Sequence, residues 1–260
     1  MAKRKFCPHS GFTLVELSIV MIIIGLLIGG ILKGRELIEN ARLASVISFQ
    51  KQIVAAHNTF LDSYNAMPGD IPYATTMIPS CDAASSCVNG NGNLLLGDIG
   101  AFPWWDVSSA IDSENTQYWK HLALIGLLGG ISPMASQSDW GITHPESEIA
   151  GGFFARTAQS RATNGYLQMW KLVLITRVNI DGAWNCGVDV GNLDVCSASP
   201  QQAWKIDTKM DDGVANSGVM GAISMGYQTG CGTPGNGINS SNGYATDVTR
   251  SSCDLIFGLE

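Results

Sequence analysis

One carboxylate, Glu16, stands alone in an apolar run from Phe12 to Leu32. A carboxylate in hydrocarbon is costly, so a residue of this kind marks a functional position. The chemistry open to it there is ion pairing, because opposite charges attract far more strongly at low dielectric than in water. Three basic residues, Lys3, Arg4 and Lys5, precede the run, and Gly11 leads directly into it.

The other residues with chemical potential lie further along. Seven cysteines are present. Cys7 sits before the run, which leaves Cys81, Cys87, Cys186, Cys196, Cys231 and Cys253 after it. An even number downstream of an apolar segment points to an oxidising compartment and disulfides. Six cysteines allow 15 pairings, and neighbour pairing (Cys81–Cys87, Cys186–Cys196, Cys231–Cys253) is the simplest. No C-x-x-C pair occurs, and His9, His57, His121 and His144 do not cluster near the cysteines, so structural zinc has no support.

Asp211-Asp212-Gly213 places two carboxylates before a glycine, the oxygen-ligand chemistry of calcium. The same residues also build Asx-type turns, and the turn is the preferred reading. Asn89-Gly-Asn91-Gly-Asn93 looks like part of a calcium loop but lacks its first Asp, its sixth-position glycine and its closing Glu. No metal is expected beyond the Asp211 and Asp212 calcium candidates, and no other cofactor. There is no G-x-S-x-G, no P-loop and no G-x-G-x-x-G after a convincing strand. His121, on an apolar stretch, is expected to be packed or hydrogen-bonded. The seven tryptophans are expected mostly in the core. The expectation is a protein that is not an enzyme.

The elements that must position these residues follow from pattern. Phe12 to Leu32 is 21 residues with one charge. At about 1.5 Å per residue it crosses a hydrocarbon core of about 30 Å. The leading basic residues favour a cytoplasmic N-terminus. An ordinary secretory signal would end in a small-residue cleavage site, and Ile28-Gly-Gly-Ile-Leu-Lys33 offers none. A plain signal anchor explains neither Gly11 nor Glu16.

From residue 35 to 64 a helical pattern continues without proline or glycine. Leu37, Ile38, Ala41, Ala44, Val46, Ile47, Ile53, Val54, Phe60, Leu61 and Tyr64 recur at spacings of three and four. Glu39, Arg42, Ser45, Gln50, Lys51 and His57 fill polar positions between them. Asn65-Ala-Met-Pro68-Gly69-Asp70 stops the helix. Residues 66 to about 117 read as loops. A second short helix follows from Asn115 and is core-facing, being too short to span. Gly165–Thr176 is the best strand, and Val214–Tyr227 a weaker one. The last 35 residues read as loops stapled by a disulfide.

Composition sets outer limits. At 260 residues the chain holds one sizeable core, or one domain with appendages. The net charge is −7, and from Phe12 onward twelve basic residues face twenty-two acidic ones. Phosphate contact needs Lys or Arg, so nucleic acid is not an expected partner.

The segment Gly11-Phe12-Thr13-Leu14-Val15-Glu16, set between a basic leader and an apolar run, resembles the prepilin class of type IV pilins and type II secretion pseudopilins. The resemblance is tight over residues 1–45. It is looser at Met67-Pro68-Gly69-Asp70, the Asn91-Gly92-Asn93 loop, Trp119-Lys-His-Leu122 and Ile206–Gly213. It implies a membrane peptidase that cuts after Gly11, N-methylation of the new terminal Phe12, and an assembly role for Glu16. The implied arrangement is a leader at 1–11, a transmembrane helix at 12–34, an amphipathic continuation at 35–65 and a periplasmic pilin-like domain at 66–260. The implied fold is α+β, a long N-terminal helix packed on a small antiparallel sheet with disulfide-stapled loops. The implied function is a filament subunit of a type IV pilus or secretion pseudopilus. Its place is the inner membrane in a single pass, then a periplasmic or extracellular filament. Its partners are copies of itself and other pilin-like subunits, the prepilin peptidase, an inner-membrane assembly platform and, indirectly, an assembly ATPase. The alternatives are a minor tip adhesin of the same filament and a membrane-anchored periplasmic enzyme using the signal only for export.

Overall fold

No proline occurs between Pro8 and Pro68. In the computed structural model, Leu14–Tyr64 form one continuous helix of 51 residues, α1. The structure describes residues 11, 13–97, 110–158, 171–177, 196–215, 217–223, 231, 243–247 and 253–259. Asn65 ends α1 in the left-handed region, with φ 49° and its N–H donating to the Leu61 carbonyl at 2.8 Å. Asn tolerates this conformation, and Pro68 bars any resumption of the helix. The chain divides into two compact units, Met1–Arg42 and Leu43–Glu260.

Within the second unit α1 buries Leu43, Val46, Gln50, Ile53, Ala56, His57 and Phe60. The spacing alternates between three and four, which puts these residues on one stripe. Two corrections arise here. Gln50 and His57, expected among the exposed polar positions, sit inside the stripe at 5% exposure each. His57 is accommodated because its Nδ1 lies 3.3 Å from the Tyr118 hydroxyl. Leu37 and Ile38, expected on the packing side, are 60% and 58% exposed. They belong to the first unit, where no described residue covers them.

Among the described residues, four strands make one antiparallel sheet: β1 (Gly152–Ala158), β2 (Lys171–Arg177), β3 (Met220–Ile223) and β4 (Asp254–Gly258). Their order is β1-β2-β4-β3. Leu174 pairs with Phe257, and Phe257 with Met220. Phe153 on β1 meets Phe49 of α1 at 5.5 Å and Phe257 of β4 at 6.3 Å. These rings join helix to sheet, and aromatic pairs of this kind bury large apolar areas. The fold is thus α+β, with a long N-terminal apolar helix and a small antiparallel sheet.

β2 takes the C-terminal part of the expected strand, and residues 165–170 lie outside the described residues. β3 falls within the weaker expected strand. The last 35 residues differ from expectation: β4 lies there, between β2 and β3 at the centre of the sheet. Asp254–Ile256 and Phe257 are buried, so no exposed polar face marks the strand by alternation.

Among the described residues, three shorter helices are α2 (Ala74–Met77), α3 (Glu114–Leu124) and α4 (Pro200–Met210). In α3 every residue from Asn115 to Leu122 is buried, polar ones included. Their polar side chains hold β1 and the surrounding loops. Asn115 donates to the Ala155 carbonyl, and Gln117 accepts from Val88 N–H and donates to the Ser86 and Ile111 carbonyls. Lys120 Nζ donates to the carbonyls of Ser85 and Ala135 at 2.6 and 2.8 Å. Gly69 packs against this helix: a Cβ there would lie 2.4 Å from the Glu114 carbonyl oxygen, and its φ is +84°. Only glycine meets both conditions.

Cys81 is bonded to Cys87, and Cys231 to Cys253, with Cα separations of 4.9 and 5.6 Å. Cys196 is also disulfide-bonded. Cys186 and Cys7 lie outside the described residues.

Candidate processing and assembly site

The N-terminal site begins with the local chemistry of a helix start. The first N–H groups of a helix have no partner within it. Thr13 supplies one. Its carbonyl accepts the first intrahelical bond, from Leu17 N–H at 3.2 Å. Its Oγ1 accepts from Glu16 N–H at 3.3 Å. In return, Glu16 Oε2 accepts from Thr13 N–H at 2.9 Å and from the Thr13 hydroxyl at 2.8 Å. This reciprocal pattern is a capping box, T-x-x-E. It also places a carboxylate at the positive end of the helix dipole.

Glu16 is exposed, as is Gly11, where an added Cβ would meet nothing within 4 Å. Phe12 lies outside the described residues. Every large apolar side chain from Leu14 to Leu32 is 44–87% exposed. So much contiguous apolar surface requires a bilayer or neighbouring helices to cover it. By length and composition this helix can cross a membrane. Where the apolar run ends, Lys33 and Glu36 form an exposed ion pair at 2.7 Å.

Thr13 is the capping residue that sequence reading missed at this site. The signal was present, since Thr three residues before Glu at the head of an apolar run is a helix-start signature.

The acidic candidates hold a turn. Asp211 Oδ2 accepts from the N–H groups of Val219 and Met220, the latter at 3.2 Å. Asp212 accepts from Val214 N–H at 2.8 Å and from the Ser217 hydroxyl at 2.5 Å. Asp207 joins them, with one ligand oxygen of each carboxylate within 4.8 Å of the others. It accepts from Gly213 N–H at 3.2 Å and the Tyr244 hydroxyl at 2.7 Å. Burial pushes the Asp207 carboxyl up, against the pull of the Tyr244 and Gly213 bonds. These contacts carry the chain from α4 to β3.

The Asn89–Asn93 loop is built around two carboxylates. Asp70 accepts from the N–H groups of Gly92, Asn93 and Leu94 at 2.8, 3.1 and 2.7 Å. Glu114 accepts from Asn91 and Gly97 N–H. Cys81, Cys87 and His121 present atoms within 4.8 Å of one another, but the sulfurs form a disulfide and offer no thiolate.

His121 is buried. Its Nδ1 accepts from Gly69 N–H at 2.9 Å, which assigns the proton to Nε2, 3.3 Å from the Val88 carbonyl. Burial lowers its pKa to about 4, and lowers that of His57 to about 4 and of His144 to about 3. All three imidazoles are neutral structural groups at pH 7. Trp119 is in the core, and Trp204 is 36% exposed.

Residues 8–32 match the prokaryotic N-terminal methylation motif. No curated protein matches the chain, and no solved structure matches it either. The matched motif is the prepilin-type cleavage and methylation signal, and it supports a precursor of the pilin or pseudopilin type. Such a signal implies processing by a prepilin peptidase and assembly with pilin-like subunits. With the apolar helix, it indicates a membrane anchor followed by a C-terminal domain.

Proposed function

We propose that the chain is a filament subunit of a type IV pilus or type II secretion pseudopilus. It is cut after Gly11, methylated at Phe12 and held in the inner membrane by the first half of α1, with its C-terminal domain in the periplasm. From there it is stacked with other subunits through that helix. The observation that carries this reading is the methylation motif at 8–32 leading into a helix whose large apolar side chains are all exposed. Cutting exposes a cationic amine at Phe12. In a bundle of helices that amine requires an anion, and Glu16 of a neighbour supplies it at low dielectric. The pairing also sets axial register between subunits.

The work is assembly, not catalysis. Support comes from the uses of the titratable groups: the three described histidines are packed in the core, and Asp70, Asp207, Asp211 and Asp212 bind the chain's own donors. The inner-membrane platform and an assembly ATPase are the further partners this role requires.

The test is filament content. The wild-type chain is expected in filaments sheared from cells that carry the matching assembly system. Glu16→Ala is expected to reach the membrane normally, since a charge leaves hydrocarbon, and to be depleted from filaments at least tenfold. Normal filament yield from Glu16→Ala would remove the assembly role from this carboxylate. Absence of the wild-type chain from all filament fractions would return the chain to an anchored protein that uses the signal only for export.

A further inference from the structure

Asn89, Asn91 and Asn93 lie in one loop, and the fold treats them differently. Asn91 Oδ1 accepts from Asn93 N–H at 2.9 Å, which folds its side chain over the Gly92 peptide between them. The Gly92 N–H points at Asp70, donating to its Oδ1 at 2.8 Å and to its carbonyl at 3.0 Å. Asp70 is 2% exposed, whereas Asn91 and Gly92 face solvent. A buried carboxylate on a backbone N–H, a side-chain amide beside that nitrogen and a donor on the amide oxygen are the parts of an intramolecular acyl transfer.

We propose that Asn91 is a self-modification site, which cyclises onto the Gly92 nitrogen and is converted to aspartate or isoaspartate with Asp70 as the base. This rests on the loop's own geometry and is independent of the filament reading. Asp70 Oδ1 takes the Gly92 amide proton as the nitrogen attacks Asn91 Cγ. The charge that develops on Asn91 Oδ1 is held by Asn93 N–H. Asp70 returns the proton to the side-chain nitrogen, the Cγ–N bond breaks, and ammonia leaves a succinimide. One water then opens the ring at either carbonyl. Burial pushes the Asp70 carboxyl up against the pull of its three backbone N–H bonds, which strengthens it as a base.

The two neighbouring asparagines each lack a part. Asn89 Oδ1 is drawn away to the N–H and hydroxyl of Thr75, and Gly90 N–H bonds a neutral acceptor, the Ile71 carbonyl. A Cβ at Gly90 would lie 2.4 Å from the Asp70 backbone, so ring closure has no room there. Asn93 repeats the bonding, with its Oδ1 on Leu95 N–H and the Leu94 N–H on Asp70 Oδ2. There the Leu94 Cβ crowds the attacking nitrogen, which glycine does not. Conversion puts a charge at position 91 beside Glu114, whose Oε1 accepts that residue's own N–H. Isoaspartate also inserts a methylene into the main chain just before the N–H groups that Asp70 holds. The loop at 91–97 therefore loosens as the chain ages.

The experiment incubates the full detergent-solubilised chain, folded and in urea, in heavy-oxygen water, and reads residues 89, 91 and 93 by peptide mass spectrometry. In the folded chain Asn91 is expected to convert at least tenfold faster than Asn89 or Asn93. In urea both Asn-Gly pairs lose their contacts, and Asn89 and Asn91 are expected to agree within about twofold. Between pH 6.5 and 8 the folded Asn91 rate is expected to stay level within about twofold, because the carboxylate base is already ionised. In urea hydroxide is the base, and the rate should climb with pH. Asp70→Asn is expected to cut the folded Asn91 rate at least tenfold. Folded rates alike at Asn89 and Asn91, an Asn91 rate that climbs with pH as it does in urea, or one undiminished by Asp70→Asn would each overturn the proposal. The pH profile uses the unaltered chain, so it decides the matter if Asp70→Asn does not fold.

Discussion

Leu94 carries a φ of 66° while its side chain is 74% exposed. A bulky residue in the left-handed region is strained, and this one recovers little by burial. The strain is held by Asp70, whose Oδ2 accepts the Leu94 N–H. Leu94→Gly should therefore stabilise the protein by about 0.5–1 kcal/mol, because glycine adopts this φ without a Cβ clash. Leu94→Val should destabilise it. Urea unfolding of the detergent-solubilised chain reads both, and a destabilised glycine variant would show that the Leu94 side chain makes a contact worth more than the strain. At this scale the sequence was legible where the chemistry is local. Glu16 stands out as the one charge in an apolar run, and Asp211 and Asp212 by turn chemistry. Lys120 and Gln117 were not legible as buried groups. Their partners are carbonyls at 85, 86, 111 and 135, which only the fold brings to them.

Among the elements, α1 was readable because its apolar residues repeat at three and four, a period carried by the residues themselves. The Thr13 and Glu16 signature of its start went unread, while its end was carried by Asn65 and Pro68. β4 was not readable. Asp254–Gly258 is a strand because β2 and β3 flank it, and pairing partners distant in sequence leave no mark on a short buried segment. β1 was missed for the same reason. α4 was missed although its signal is local: Ser199 accepts from Gln202 N–H, Gln202 bonds back to Ser199 N–H, and Pro200 opens the helix. Ser199→Ala should remove this capping box and cost about 1 kcal/mol. Thermal unfolding checks it. An unchanged midpoint would mean that α4 is held by the packing of Ala203 and Ile206 alone.

On the scale of the whole molecule, three neutral imidazoles are built into the interior of the second unit. His57 stacks with Tyr118, His121 with Phe60 and His144 with Phe154. The unfolded chain takes up protons at these groups near pH 6.5. The folded chain takes them up near pH 4 at His57 and His121 and near pH 3 at His144, because burial penalises the charged ring. Between these limits the unfolded state binds more protons, so stability falls as pH falls. Crossing the window costs about 3 kcal/mol of stability at His57 and at His121 and about 5 kcal/mol at His144. Asp70 and Asp207, whose carboxyls burial raises, act in the opposite direction in the usual carboxylate range. Melting temperatures at pH 7, 5.5 and 4 should decline steadily, and His144→Phe should flatten the decline. A midpoint independent of pH over this range would show that the imidazoles are not desolvated in solution.

The most direct measurement of the proposed role is the mass of the chain's N-terminus in cells with an active prepilin peptidase. The expected product begins at N-methylated Phe12, with residues 1–11 removed, and Gly11 replaced by a bulky residue should leave the leader in place. A wild-type chain recovered with residues 1–11 intact and Phe12 unmodified would contradict the prepilin reading.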